Sequence, residues 1–348
     1  MRRFVLFGGL FLILLPFALK GKVVKLDQKE GILEGQKEKQ VQFHKYEKID
    51  FDFKKVPLKR VKKIDLHDNK IFILDNQRNE IYVIDKKGKY LYKIGRRGQG
   101  PGEIVYGQDF HISGGRIYVL NSMPKKVEVF DIKGEPIRSI KLEEGAGLLK
   151  PESIIVDNNR DIFISGAFEQ ILAVYSSKGA FKKLLIYRED MDTYTETSTR
   201  LGIPSNLAII DNRVYHFDLF TGIFTRTDFS GEIDVSFSAF SHLVDKDVRE
   251  IKQEYRKNKS IQSQRSLFTK WSNLCLDELK RIHALLLSKK KGKSQRIFVF
   301  SKNGDFLYAI PLDYFNKNKM AVRFICCDET NFVFLTYDLN LILAYIHS

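Results

Sequence analysis

One short pattern recurs along the chain: an alternating apolar run, two or three polar residues, a glycine, then a second run. It reads IYVIDKKGKYLYKIG (81–95), VEVFDIKGEPIRSIKL (127–142), LAVYSSKGAFKKLLI (172–186), IFTRTDFSGEIDVSFS (223–238) and IFVFSKNGDFLYAI (297–310). Apolar alternation with period two predicts strands, and a glycine between two strands predicts a hairpin turn with positive φ. The glycines are Gly88, Gly134, Gly179, Gly231 and Gly304, spaced by 46, 45, 52 and 73 residues. A second pair of strand-like runs precedes the first four hairpins, as in KIDLHD (63–68) with KIFILD (70–75), and DFHI (109–112) with RIYVLN (116–121). Four strands in about 46 residues make one β-propeller blade.

The count predicts an all-β, six-bladed propeller. The last unit supplies three strands, VRFICCDE (322–329), FVFLTYD (332–338) and LILAYIHS (341–348), and then the chain stops. The surplus strand-like segment YEKIDFDFKKVPL (46–58) is expected to pair as its fourth strand and remove an exposed edge. The spacing of 73 exceeds the period by about 27 residues and predicts an insertion in blade 5, at about 241–283. Val248, Ile251 and Tyr255, then Leu267, Trp271, Leu274 and Cys275, fall at helical spacing, so this insertion is expected to be helical.

The N-terminus has a different pattern. Arg2 and Arg3 precede an uncharged apolar run, Phe4 to Leu19. That is the layout of a secretory signal, predicted over 1–21, with the propeller in 22–348. The run is short for a bilayer span of about 20 residues, so membrane contact is expected only if residues 4–19 are retained as an anchor. The expected compartment is the periplasm or the exterior. Three cysteines are too few for a disulfide framework, and the sequence predicts buried thiols, including the adjacent Cys326 and Cys327.

The formal charge is +15, and residues 241–295 hold 14 Lys and Arg against 6 Asp and Glu. A basic protein of this size can bind nucleic acid, but an export signal argues against an RNA partner.

IGRRGQGPGEI (94–104) is the densest glycine stretch. A phosphate loop must deliver its glycines to a helix N-terminus, and here another strand follows. The stretch is therefore predicted to be the crossover from the outer strand of blade 1 to the inner strand of blade 2. IGRRGQGPGE, after IYVIDKKGKYLYK and before DFHI, resembles the hallmark of exported bacterial six-bladed β-propellers related to the NHL-repeat type. That resemblance implies the fold and an exported location, and carries over no catalytic residue. Relatives often have a lipoprotein cysteine after the signal, which this chain lacks.

Candidate chemistry is sparse. No two of the seven histidines have local zinc-pair spacing; His67 and His111 lie near inner strands of adjacent blades. Asp190, Asp192 and Glu196 begin like a calcium loop but lack its glycine. No metal or other cofactor is called for. The expected function is a monomeric binding module for a peptide, glycan or partner protein at the channel mouth. Arg96, Arg97, Gln99 and Glu103 from the crossover are the candidate ligand-binding residues, with Asn76 and Asn121 from neighbouring loops. The alternative is a cation-dependent propeller enzyme of lactonase, hydrolase or lyase type with its site in the central channel.

Overall fold

The computed structural model describes residues 43–144, 150–166, 170–187, 205–218, 223–238, 271–277, 279–286, 296–328 and 331–346. Their strands form six four-stranded antiparallel sheets. Blade 1 is β2 (Val61–His67), β3 (Lys70–Asp75), β4 (Glu80–Asp85) and β5 (Tyr90–Ile94). Blade 2 is β6 (Gly107–Ser113), β7 (Arg116–Ser122), β8 (Lys125–Asp131) and β9 (Pro136–Lys141). Blade 3 is β10 (Pro151–Val156), β11 (Ile162–Gly166), β12 (Gln170–Tyr175) and β13 (Phe181–Tyr187). Blade 4 is β14 (Ser205–Ile210), β15 (Arg213–Asp218), β16 (Ile223–Asp228) and β17 (Ile233–Ser238). Blade 5 is β18 (Trp271–Leu276), β19 (Ile282–Leu286), β20 (Arg296–Phe300) and β21 (Phe306–Pro311). Blade 6 takes β22 (Val322–Cys327), β23 (Asn331–Thr336) and β24 (Leu341–Ile346), and its outer strand is β1 (Phe43–Ile49), paired antiparallel with β24.

The core lies between blades. Several middle strands, such as β3 (KIFILD) and β23 (NFVFLT), are buried on both faces, and their sequences are near-continuous apolar runs rather than alternations. In β3, Phe72 and Leu74 pack with Phe110, Val119 and Phe130 of blade 2, while Ile71 and Ile73 pack with Val333, Leu335 and Leu343 of blade 6. The same division recurs around the ring, and the contact between blades 6 and 1 closes it.

The repeated glycines have two constraints. Gly88, Gly134, Gly179, Gly231 and Gly304 all have positive φ, from 84° to 101°. Four of them also approach the outer strand of the preceding blade. A Cβ on Gly179 would collide with the Lys141 carbonyl oxygen at the end of β9, and one on Gly88 would collide with that of Asp50, just past β1. The residue three before the glycine, Asp85, Asp131 or Asp228, caps the turn by accepting backbone N–H bonds through its Oδ1.

Two expectations change. Trp271–Leu276 is a strand, not the end of a helix, and β19 begins at Ile282. The pairing of β18 with β19 has a bulge between Trp271 and Leu274, which breaks the period of two and lets the apolar residues imitate a helical stripe. The rest of the predicted insertion, to residue 270, lies outside the described residues, as do 1–21 and the acidic cluster Asp190, Asp192 and Glu196. Cysteine pairing also differs: Cys275 and Cys327 form a disulfide with Cα atoms 6.0 Å apart, and Cys326 is a buried free thiol. Successive residues of β22 face opposite blades, so Cys327 meets blade 5 while Cys326 packs towards blade 1. No helix of the described residues is long and apolar enough to cross a membrane.

Candidate functional site

Inner strands run from the crossover face of the ring to the face that carries the first hairpin turn of each blade. The predicted residues lie on the crossover face. Glu103 organises the Gly-rich crossover: it accepts the Gly100 N–H at 2.8 Å and the Arg96 Nε–H at 2.9 Å. Those bonds, the backbone one first, hold its carboxyl below the usual carboxylate range. Below the loop lies a buried ion pair, Lys126 and Glu128, 2.6 Å apart. Lys126 donates to the Gln99 and Gly100 carbonyls, and Glu128 accepts the Gly102 N–H and the Ser139 hydroxyl. The glycines let the chain come this close. A Cβ on Gly98 would collide with the Glu103 carboxylate, and Gly102 has a φ of +72° against Pro136.

Asn121 is buried and accepts the Val105 N–H at 3.2 Å through Oδ1. Asn76 accepts the Arg60 Nε–H at 2.5 Å and donates its own N–H to the Arg60 carbonyl, so it ties the chain entering blade 1. The structure thus brings Arg96 and Glu103 together, sets Asn121 of β7 against the far end of the same crossover, and places Asn76 in the β3–β4 loop, against the chain that enters blade 1. Arg97 and Gln99 have exposed side chains.

The opposite, turn-bearing end of the ring holds an axial cavity of about 590 Å³ lined by residues of all six inner strands. None of the six predicted residues lines it. Its wall is held by side chains that stitch one blade to the next. Lys63 Nζ lies 2.9 Å from Asp109 Oδ1 and donates to the Phe110 carbonyl at 2.7 Å. Asp109 Oδ2 accepts the Ser153 hydroxyl and the Ile154 N–H of blade 3. His111 Nδ1 accepts the Val156 N–H at 3.1 Å, which leaves the neutral ring's proton on Nε2. On the far side, Asn206 accepts the Leu274 N–H, and Asn273 exchanges two bonds with the Ile325 backbone.

Electrostatics follow from enclosure. Burial, with Lys63 adding to it, pushes the His111 pKa down to about 3, so the imidazole is neutral near neutral pH. Burial pushes the Asp65 carboxyl up, and Lys63 offsets part of that. Burial also disfavours the Lys63 charge, but Asp109 and Asp65 together outweigh it and raise its pKa. The Cys326 thiol is raised by burial and is inert as a nucleophile near neutral pH. Among the described residues, no group of three or more His, Cys, Asp or Glu could hold a metal ion. His67, paired with His111 on paper, sits 3.6 Å from Asp68.

The sequence singles out His111 but passes over Lys63, Asp65 and Asp109. Their signal is the spacing Lys63–Asp65 and Asp109–His111: two polar residues, two apart, on the inner strand of adjacent blades, which puts each pair on one face.

Residues 52–146, which include the first two blades, match the family model for the 6-bladed beta-propeller. Solved structures agree on the fold. A Bacteroides fragilis protein whose name marks it as exported aligns over 88% of this chain and 98% of its own, with 16% identity and a TM-score of 0.59. A Bacteroides vulgatus protein aligns over 90% and 99%, with 11% identity and a TM-score of 0.56. An inactive variant of the Staphylococcus aureus virginiamycin B lyase, solved with quinupristin, aligns over 87% and 99%, with 11% identity and a TM-score of 0.53. No curated protein matches the chain in sequence. The chain is a six-bladed β-propeller whose first two blades carry the sequence signature of that family.

Proposed function

We propose that this protein is an exported, monomeric binding module whose ligand, the end of a peptide or glycan or a small molecule, occupies the axial cavity on the turn-bearing face. The cavity itself carries the reading. Its volume of about 590 Å³ lies within the span of small-ligand sites. Its wall is already fixed by bonds between blades, so a ligand meets side chains that lose little freedom on binding. Export is supported by the Cys275–Cys327 disulfide, a bond that persists in oxidising compartments, and by the signal-like pattern at residues 1–21. The likeness to the lyase is one of fold and brings no chemistry with it. On the crossover face, Glu103 and the Lys126–Glu128 pair already occupy the loop's donors and acceptors, and we read Arg96 as part of that clamp.

The test is ligand-observed NMR with a mixed library of amines, acids, sugars and short peptides. It compares the unmodified protein with Leu207→Trp, where an indole from a half-buried cavity residue fills the space. Binders that lose their signal in the variant, at a retained unfolding transition, are the expected result. Binding that ignores the substitution, or no binder at all, would sink the reading.

A further inference from the structure

The cavity has two unlike walls. Blades 1 and 2 contribute Lys63, Asp65, His111 and Ser113. Across the axis, blades 3 to 5 contribute Ile155, Leu207, Ile209, Leu274, Leu276 and Phe229, and the first hairpin turns of blades 3 and 4 add a polar rim that includes Asp157, Asn159, Asp211 and Asn212. Leu207, Ile209, Leu274 and Leu276 are half-buried, so they keep apolar surface that an occupant can cover. Below that rim the inner-strand side chains of this wall are aliphatic, and they suit a hydrocarbon frame better than a sugar face.

The polar wall has a sign. The lysine charge is already committed to Asp109 and the Phe110 carbonyl. His111 is a neutral ring. Asp65 accepts the Leu66 N–H and has no ion pair of its own among the described residues. Two carboxyl groups, Asp65 and Asp109, therefore share one ammonium, Lys63, within a chain of net charge +15; of the acidic residues at the rim, Asp211 is already paired with Lys280 and Lys302. An anion entering here would meet the half-buried Asp65, and a cation would complete it.

We infer that the axial cavity takes an organic cation on an apolar frame, an alkyl- or arylammonium group with its charged head at Asp65 and its frame against Ile155, Leu207 and Leu274. This rests on the reading of the cavity as the ligand site. The same head group can come from a free amine or from the N-terminus of a peptide.

The experiment is calorimetric titration of the full chain with phenethylammonium, 2-phenylethanol and phenylacetate, which share a frame and differ in charge. The ammonium should bind about tenfold or more tightly than the alcohol, as a charge-assisted bond to a buried carboxylate requires, and phenylacetate should bind most weakly. Asp65→Asn should remove about that tenfold preference and leave the alcohol's affinity nearly unchanged. The ligand series on the unmodified protein tests the inference even if that variant misfolds. A peptide Phe-Gly-Gly, free and N-acetylated, separates the sources: tighter binding of the free peptide than of phenethylammonium assigns the head to a peptide terminus, and weaker binding assigns it to a free amine. Equal affinities across the three charges, all lost in Leu207→Trp, would overturn the cation and leave the cavity reading standing. Tighter binding of phenylacetate would overturn it likewise. Binding of none of the three would overturn it too, and the library screen would then judge the cavity by itself.

Discussion

The side chains that shape the crossover are charged and buried. Lys126 and Glu128 are 6% and 0% exposed, and together they take two carbonyls and one N–H of the Gly-rich loop. Removing one partner leaves the other charge in a dry site. Glu128→Ala should therefore cost about 3–5 kcal/mol, whereas the double change Lys126→Met with Glu128→Leu should cost much less. Urea unfolding of the three proteins checks this, and equal losses in single and double variants would contradict it. In the sequence, the glycines are legible as a crossover because no helix follows them. The clamp is not legible: Lys126 and Glu128, two apart in a strand, read as an ordinary solvated face until the crossover from blade 1 covers them. Lys63 and Asp65 look the same from the sequence, and only the closed ring turns their face inward.

At the scale of the element, the repeat is legible because each hairpin glycine is constrained twice. Gly179 has a φ of +90° and sits against the end of β9, while Gly115 has a φ of +69° with nothing within 4 Å of an added Cβ. Both substitutions to alanine incur the backbone cost, but only Gly179→Ala also incurs the collision. Gly179→Ala should destabilise by about 1–3 kcal/mol more than Gly115→Ala. Matched midpoints for the two variants would show that the glycines serve the turn alone and not the contact between blades. β18 shows where element reading fails. Its bulge and the polar Asn273, buried because it bonds to Ile325 of the next inner strand, remove the alternation by which the other strands are recognised. The pattern of a strand depends on its neighbours, and for β18 those lie 52 residues away in β22.

For the whole molecule, closure decides what the sequence can show. The count of strands gives six blades and requires an N-terminal strand in the last one, and β1 supplies it. Which cysteines meet is set by the ring, because Cys275 and Cys327 belong to different blades. Their disulfide closes a loop of 52 residues, which corresponds to about 4 kcal/mol in the chain-entropy account. Cys275→Ser should lower stability by roughly that order, and peptide mapping without reductant should recover the Cys275–Cys327 link with Cys326 unmodified. A map that joins Cys326 instead would contradict the assigned faces of β22. The central claim concerns where the molecule binds. Its most direct test is crystallography of the protein soaked with a chemically diverse fragment set. The account predicts fragment density inside the axial cavity, between Asp65 and Leu207, in preference to other surfaces. Density gathered at Arg96 and Arg97 on the crossover face, with water alone in the cavity, would contradict it.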